Sequence, residues 1–287
     1  MQRQLQARSG ISLVEVIIAL VLASVLGTTA TGAFVTQSRF HDSQEKTDYA
    51  RGVSRGAMTV LISELRMLEQ EGGVEAAAPK RITVRAPYAF GVVCGNDPQL
   101  TVSRLPVDRE VLDSAGYSGF AYRNRGTGRY RYEPVPSPQP TEGGAAVCAA
   151  AGMAVYSGGG GNLDGKALQF AYVPRPLPEI GMTVFLYQRI TYEFAPSASV
   201  PGRIALWRRI EEKNVNEELV APFDTTAGFR FYVDDAATAQ ATAPVQLSRI
   251  TGLEVRLDAV ADRAGIRRTG QTFPLTTSVF FENRVTP

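Results

Sequence analysis

The sequence predicts an α+β protein in which one long N-terminal helix packs on the mainly antiparallel β-sheet of a head domain. Three observations lead to this fold class. A dense apolar run opens the chain, an amphipathic stretch follows it, and no proline interrupts either of them before Pro79. Beyond Pro79, apolar and polar residues alternate with a period of two, as in strands that bury one face. This order of helix first and strands after is typical of the α+β class.

The composition limits the classes of partner. The chain has 287 residues, with 30 Lys and Arg against 28 Asp and Glu and a formal net charge of +2. Arginine is spread along the chain, and no block of like charges suggests a nucleic-acid surface unless a role in DNA uptake requires one. A chain of this length can bury a sizeable core.

The first 35 residues predict a membrane span. Residues 1–10 form a short polar leader whose only charges are Arg3 and Arg8. Residues 11–26 are apolar except for Ser12, Glu15 and Ser24. Together with the small residues up to position 35, this run of about 25 residues is long enough to cross a bilayer as a helix. The two arginines before it place the N-terminus in the cytoplasm by the positive-inside rule.

Residues 36–72 continue the helix as an amphipathic segment that packs on the head. Its apolar residues recur every three or four positions, at Tyr49, Val53, Ala57, Val60, Leu61, Leu65 and Leu68. Gly72 and Gly73 supply a stop signal, so the helix is predicted from about Ser12 to about Gln70. Residues 73–287 are then the β-rich head.

The head is predicted to contain several strands in hairpin-scale succession, and hence a largely antiparallel sheet. Runs of β-branched and aromatic residues, separated by Gly, Pro, Asn and Asp, mark these strands. The runs are RITVRA (81–86), ALQFAYV (167–173), MTVFLYQRITYEF (182–194), GRIALWRRIE (202–211), GFRFYVDD (228–235), ITGLEVRLDAV (250–260) and LTTSVFFENR (275–284).

The stretch from about 87 to 165 is predicted to be a loop-rich insertion, because it shows neither periodicity. Segments such as PVPSPQPTEGGAA (134–146) and SGGGG (157–161) have the composition of loops. Cys94 and Cys148 bracket most of it. In an exported chain they can form a disulfide, which stabilises by about 4 kcal/mol through loop entropy. The alternative is a pair of separate buried thiols.

The order Gly10, Ile11, Ser12, Leu13, Val14, Glu15 closely resembles the class-III signal of prepilins. The resemblance implies that prepilin peptidase cuts between Gly10 and Ile11 and that the new amino group is N-methylated. It also implies that Glu15 pairs with the N-terminal amine of a neighbouring subunit in a filament. Ile11 departs from the phenylalanine that is usual after the cut. The alternative is a secretory signal peptide cleaved around residues 31–33, which leaves the glutamate and the amphipathic helix unexplained.

The whole chain is similar to the large minor subunits of type IV pili and type II secretion pseudopili, the PilW-like minor pilins and J-type minor pseudopilins. The long helix, the strand succession and the C-terminal SRITGLEVRLDAV and FPLTTSVFFENR segments carry this resemblance. It implies a pilin-like fold and a structural, non-enzymatic subunit near a filament tip, anchored in the inner membrane with a periplasmic head before assembly. The implied partners are prepilin peptidase, other minor subunits, the major subunit and the inner-membrane assembly platform.

Two other hypotheses stay open. In one, the chain is an exported enzyme or ligand-binding protein that uses residues 1–33 as a signal peptide or anchor. In the other, it is a ligand-binding adhesin on a pilin scaffold, and the 87–165 insertion binds the ligand. Both hypotheses place the catalytic or ligand-binding residues in the head.

The sequence offers little material for a catalytic or metal site, and no cofactor is expected. The segment GGNLDGKA (160–167) lacks the P-loop hydroxyl, because Ala167 stands where Ser or Thr should bind Mg²⁺. The single histidine, His41, lies on the helix, away from any pocket-forming loop. Asn162 and Asp164 are a Ca²⁺ candidate, with a plain flexible turn as the alternative. The acidic pairs are interpreted as solvated surface charges: Glu211/Glu212, Glu217/Glu218 and Asp234/Asp235.

Overall fold

The computed structural model describes residues 13–104, 115–134, 140–153, 166–171, 177–260 and 272–281. A long N-terminal helix precedes a large antiparallel sheet, so the predicted α+β class is confirmed. The chain divides into two compact units, residues 1–49 and residues 50–287. The second unit contains the last part of the helix together with the sheet.

Helix α1 spans Leu13–Leu65 and contains 53 residues. It ends before Gln70, because the chain makes a turn that the apolar periodicity does not reveal. In this turn the Gly73 N–H donates to the Glu69 carbonyl at 3.2 Å. Gly72 has a φ of +87°, a left-handed conformation that favours glycine, so the glycine pair acts as the predicted stop signal.

The described part of the head contains thirteen strands and a second, short helix. All the strand pairings are antiparallel. The elements are β1 (Val74–Ala78), β2 (Arg81–Gly95), β3 (Leu100–Arg104), β4 (Gly119–Arg123), β5 (Tyr130–Pro134), β6 (Thr141–Glu142), α2 (Ala145–Ala150), β7 (Lys166–Phe170), β8 (Thr183–Pro196), β9 (Ile204–Ile210), β10 (Val215–Phe223), β11 (Gly228–Val233), β12 (Ile250–Val260) and β13 (Thr272–Phe280).

Strands β2 and β8 form the central pair of the sheet. Their register runs from Arg81 opposite Glu193 to Val92 opposite Thr183. Because both strands are long, different neighbours pair with their two ends. Strand β9 pairs with the end of β8, and β4 pairs with its beginning. We call α1 from residue 50 with β1 and β9–β13 the helix lobe, and β3–β7 with α2 the disulfide lobe; both lobes share β2 and β8.

The core of the helix lobe is built on the inner face of α1. Ala57, Leu61 and Leu65, spaced four residues apart, are almost completely buried. They belong to one apolar cluster with residues of the sheet that include Ile82, Val84, Ile190, Tyr192, Phe229, Phe231, Leu253 and Val255. Tyr49 follows the same sequence pattern but is 45% exposed, because burial on the helix begins only at Ala50.

The region from 87 to 165 contains most of the disulfide lobe. Its described parts hold the end of β2, strands β3 to β6 and helix α2. A buried cluster that includes Phe120, Tyr122 and Phe170 gives this lobe an apolar core of its own. The second half of β2 and strands β3, β4 and β5 were not predicted. Strands β3, β4 and β5 are only five residues long, and a run of that length establishes no periodicity.

Replacing Leu61 with alanine tests the packing of the helix on the sheet. Leu61 is 1% exposed, so Leu61→Ala should lower the free energy of unfolding by about 3 kcal/mol through lost burial and a residual cavity. Urea unfolding of the full chain in detergent, followed by Trp207 fluorescence, measures this. Thr59→Ala is the matched control, since Thr59 is exposed on the same helix and should change the value by less than about 0.5 kcal/mol. Equal effects of the two substitutions would contradict the packing.

Candidate functional site

The first unit presents a long apolar helix surface. From residue 13 to residue 45 every side chain of α1 is exposed, including Leu13 at 76% and Phe34 at 75%. By its length and composition, the helix is long and apolar enough to cross a membrane. Residues 13–35 extend about 34 Å along the helix axis, which matches the hydrocarbon thickness of a bilayer.

Glu15 is the only charged side chain between residues 13 and 35. It lies in the first turn of α1, where the helix dipole favours a negative charge. The next charged residue along the helix is Arg39, beyond the apolar stretch. A cation that neutralises Glu15 in an apolar environment must therefore come from outside this stretch. The predicted cleavage site, Gly10 and Ile11, lies outside the described residues.

The hydroxyl groups of the same stretch are satisfied within the helix. The Ser24 hydroxyl donates to the Val21 carbonyl at 2.8 Å, and the Thr31 hydroxyl donates to the Gly27 carbonyl at 2.8 Å. Thr28 and Thr29 make the same kind of bond, as does Thr36 just beyond the stretch. A buried hydroxyl without a partner costs roughly 1–3 kcal/mol. These bonds therefore reduce the free-energy cost of placing the stretch in hydrocarbon. Glu15 remains the charged group of the stretch.

A polar network ties the last part of α1 to the sheet. The Tyr192 hydroxyl donates to Glu64, and the Arg208 guanidinium donates to Glu64 at 2.7 Å and to Glu217 at 3.1 Å. Burial and the Glu64 carboxylate raise the pKa of Tyr192 well above its usual value, so the phenol stays a neutral donor. These groups fix the rotation of the helix on β8 and β9. The sequence pattern missed them, because their partners are more than a hundred residues apart.

Cys94 and Cys148 form a disulfide in the described structure, as predicted for an exported chain. It joins the end of β2 to helix α2, with 4.8 Å between the two Cα atoms. Ala167 of β7 belongs to the same small buried cluster. The bond thus ties α2, a helix of six residues, to the sheet.

No family model, curated protein or solved structure matches this chain.

The acidic pairs occupy structural positions on the surface. Glu211 accepts a hydrogen bond from the Thr191 hydroxyl at 2.7 Å and lies 3.2 Å from the Arg209 guanidinium. Glu218 accepts hydrogen bonds from Ser197, Ser199 and the Ala198 N–H, and these bonds lower its pKa despite an opposing contribution from burial. Asp234 pairs with Arg249. These contacts close turns and join neighbouring strands.

The other positions that the sequence analysis singled out lie on α1, at the start of β7 and outside the described residues. His41 is an exposed residue of α1. Lys166 and Ala167 begin strand β7, in agreement with the strand predicted after the P-loop-like segment. Asn162 and Asp164 lie outside the described residues. Within the described ranges, no group of three or more His, Cys, Asp or Glu side chains is arranged to hold a metal ion.

Proposed function

We propose that the protein is a minor pilin or pseudopilin, a structural subunit of a type IV pilus or a type II secretion pseudopilus. One observation carries the proposal. A single helix combines an exposed apolar stretch that contains one acid, Glu15, with a buried segment that forms part of the core of the head. A helix of this kind joins a folded head to a segment that can move from lipid into the core of a filament without changing its apolar surroundings.

The lone acid favours polymerisation over simple anchoring. An ionised carboxylate inside a bilayer costs roughly 2.5–3.5 kcal/mol on insertion scales, so a plain anchor gains nothing from Glu15. A free N-terminal amine at Ile11 is a cation that also loses hydration when helices pack. Pairing the amine of one subunit with the acid of its neighbour removes both penalties together. Glu15 then fixes the axial register between adjacent subunits.

The size of the head supports a place at the filament tip. The chain is 31.0 kDa, and a bulky head is difficult to repeat along a tightly packed shaft. Before assembly the subunit lies in the inner membrane, with the N-terminus in the cytoplasm and the head in the periplasm. Its partners are prepilin peptidase, other minor subunits, the major subunit and the assembly platform.

The mature N-terminus tests this proposal. We expect protein purified from the native membrane to begin at Ile11 and to carry an N-methyl group, because prepilin peptidase acts on the cytoplasmic side. Intact-mass measurement and N-terminal sequencing detect both. A chain that begins at Phe34 would support the other hypothesis, an exported enzyme or ligand-binding protein whose signal peptide has been removed.

A further inference from the structure

The turn between β4 and β5 concentrates positive charge on the disulfide lobe. The segment RNRGTGRYR (123–131) contains four arginines and no acid within nine residues. The Asn124 side chain accepts hydrogen bonds from the Gly126 and Thr127 N–H groups, which holds the turn closed. The four arginines therefore lie on a β-hairpin whose turn conformation is fixed by hydrogen bonds.

A cleft of about 490 Å³ lies beside this hairpin. The other wall is the segment that leads into β8, and the lining residues are Arg123, Asn124, Arg125, Gly128, Tyr130, Gly181, Met182 and Thr183. Clefts of roughly 300–1,000 Å³ are typical of small-molecule sites. The lining combines cationic groups, neutral hydrogen-bonding groups and one aromatic ring, which suits an anionic ligand with a flat or apolar body.

Three of the four arginines already have carboxylate partners. Arg125 pairs with Glu179, Arg131 pairs with Glu133, and Arg129 lies 3.2 Å from Glu71. Of these three arginines, Arg125 lines the cleft, where Glu179 compensates its charge. The Arg125 and Arg129 pairs also tie the hairpin to segments outside it. Of the four arginines, Arg123 is therefore the one available to a ligand.

Arg123 is held in place by the hairpin itself. Its Nε–H donates to the Gly128 carbonyl at 2.8 Å, and Gly128 adopts a φ of +70° to present that carbonyl. Neither Nη group of Arg123 forms a hydrogen bond within the part of the chain that the structure describes. A guanidinium held through Nε, with both Nη groups available, is prepared for a carboxylate.

The acid near Arg123 compensates its charge only in part. Glu69 is 6% exposed, and burial raises its pKa to about 7, against the lowering effects of the Tyr130 hydrogen bond and the Arg123 charge. Arg123 on β4 and Tyr130 and Tyr132 on β5 are the charged and titratable groups that act on it or respond to it. Glu71, two residues along the chain, is engaged with Arg129. Near neutral pH the Glu69 carboxyl is therefore only partly ionised.

We propose that this cleft binds a small ligand that carries a carboxylate, with Arg123 pairing with the carboxylate and Tyr130 contacting the body of the ligand. The Tyr130 ring packs against Phe185, at 5.4 Å between ring centroids. The half-buried Asn124 and the exposed Thr183 supply further hydrogen-bonding groups at the cleft wall. The carboxylate can belong to an acidic sugar or to an acidic amino acid, and this site does not depend on whether the chain joins a filament.

Calorimetric titration of the full chain in detergent tests the site. The probes are galacturonate and N-acetylglutamate. Their neutral counterparts are galactose and N-acetylglutaminamide, in which both carboxylates are replaced by amides. At least one acid should bind, and its neutral counterpart should bind at least about tenfold more weakly, because it lacks the charge that pairs with Arg123. The acid that binds more tightly identifies the source of the carboxylate. Failure of both acids to bind, or equal binding of acid and neutral counterpart, would overturn the proposal.

Two variants make the test specific to Arg123. Arg123→Gln should weaken binding of the acid by at least about tenfold, because it removes the bidentate charged contact. Arg209→Gln is the matched control, since Arg209 is a partly exposed arginine of β9 that does not line the cleft, and it should leave the affinity unchanged. Equal losses in both variants would show that the net charge of the head, and not this cleft, attracts the acid.

The pH dependence provides a second readout. A ligand carboxylate repels an ionised Glu69, so binding should tighten about three- to tenfold from pH 8 to pH 6 as Glu69 takes up a proton. The ligand carboxylates stay ionised over this range. Glu69→Gln keeps an acceptor for Tyr130 and should remove the pH dependence. An unchanged pH dependence in this variant would exclude Glu69 from the site.

Discussion

Glu15→Leu should abolish incorporation of the subunit into filaments, while membrane insertion and removal of the leader continue. Leucine makes the apolar stretch more hydrophobic, so the helix still enters the bilayer. The N-terminal amine of the neighbouring subunit then lacks its counter-ion in hydrocarbon. A penalty of about 3 kcal/mol corresponds to a roughly hundredfold loss of incorporation. Immunoblots of sheared filaments and of membranes from the same cells measure the two pools.

Two further variants separate charge from size at this position. Glu15→Gln keeps the shape of the side chain but not its charge, and it should fail to assemble as Glu15→Leu does. Glu45→Leu removes an exposed acid from a later part of the same helix and should assemble normally. If Glu15→Leu were present in filaments at the level of the unmodified protein, Glu15 would have no role in register.

The double variant Cys94→Ala, Cys148→Ala should lower the free energy of unfolding of the head by about 4 kcal/mol. The two cysteines are 54 residues apart in sequence, and the bond restricts the unfolded chain over that whole loop. The disulfide lobe should lose more than the helix lobe, because α2 is tied to the sheet by this bond. Urea unfolding of the full chain in detergent measures the total change.

Reduction of the unmodified protein supplies the control for this prediction. Treatment with dithiothreitol should move the urea midpoint to that of the double variant, since both then lack the same cross-link. A change of less than about 1 kcal/mol in either case would show that the loop is already ordered in the unfolded state. Labelling of both thiols by maleimide in protein taken directly from the cell envelope would show that the bond does not form there.

The main elements were predictable because each depends on local patterning. The apolar run and the amphipathic periodicity predicted α1, and strands such as β8 and β12 follow long β-branched and aromatic runs. The pairing of Cys94 with Cys148 followed from an even cysteine count in a chain expected to be exported. The helix and strand signals lie within short stretches of sequence. The disulfide signal depends on an oxidising compartment.

The organisation of the disulfide lobe was not predictable in the same way. Its strands are short, and β3 and β4 pair with β7 and β8, which lie far from them in sequence. Nothing in the sequence placed the hairpin with four arginines beside Gly181 and Thr183. The network of Glu64, Tyr192 and Arg208 likewise depends on contacts across more than a hundred residues.

By itself, the sequence determined the long helix, its apolar first part with one acid, the change to strand periodicity after Pro79 and the cysteine pair. These are properties of consecutive residues, for which local backbone preference and apolar spacing suffice. Only the tertiary structure decided where α1 ends, that the central strands carry two lobes, and that Arg123 and Tyr130 line a common cleft. Those features arise from the packing of segments distant in the chain, which local preference does not encode.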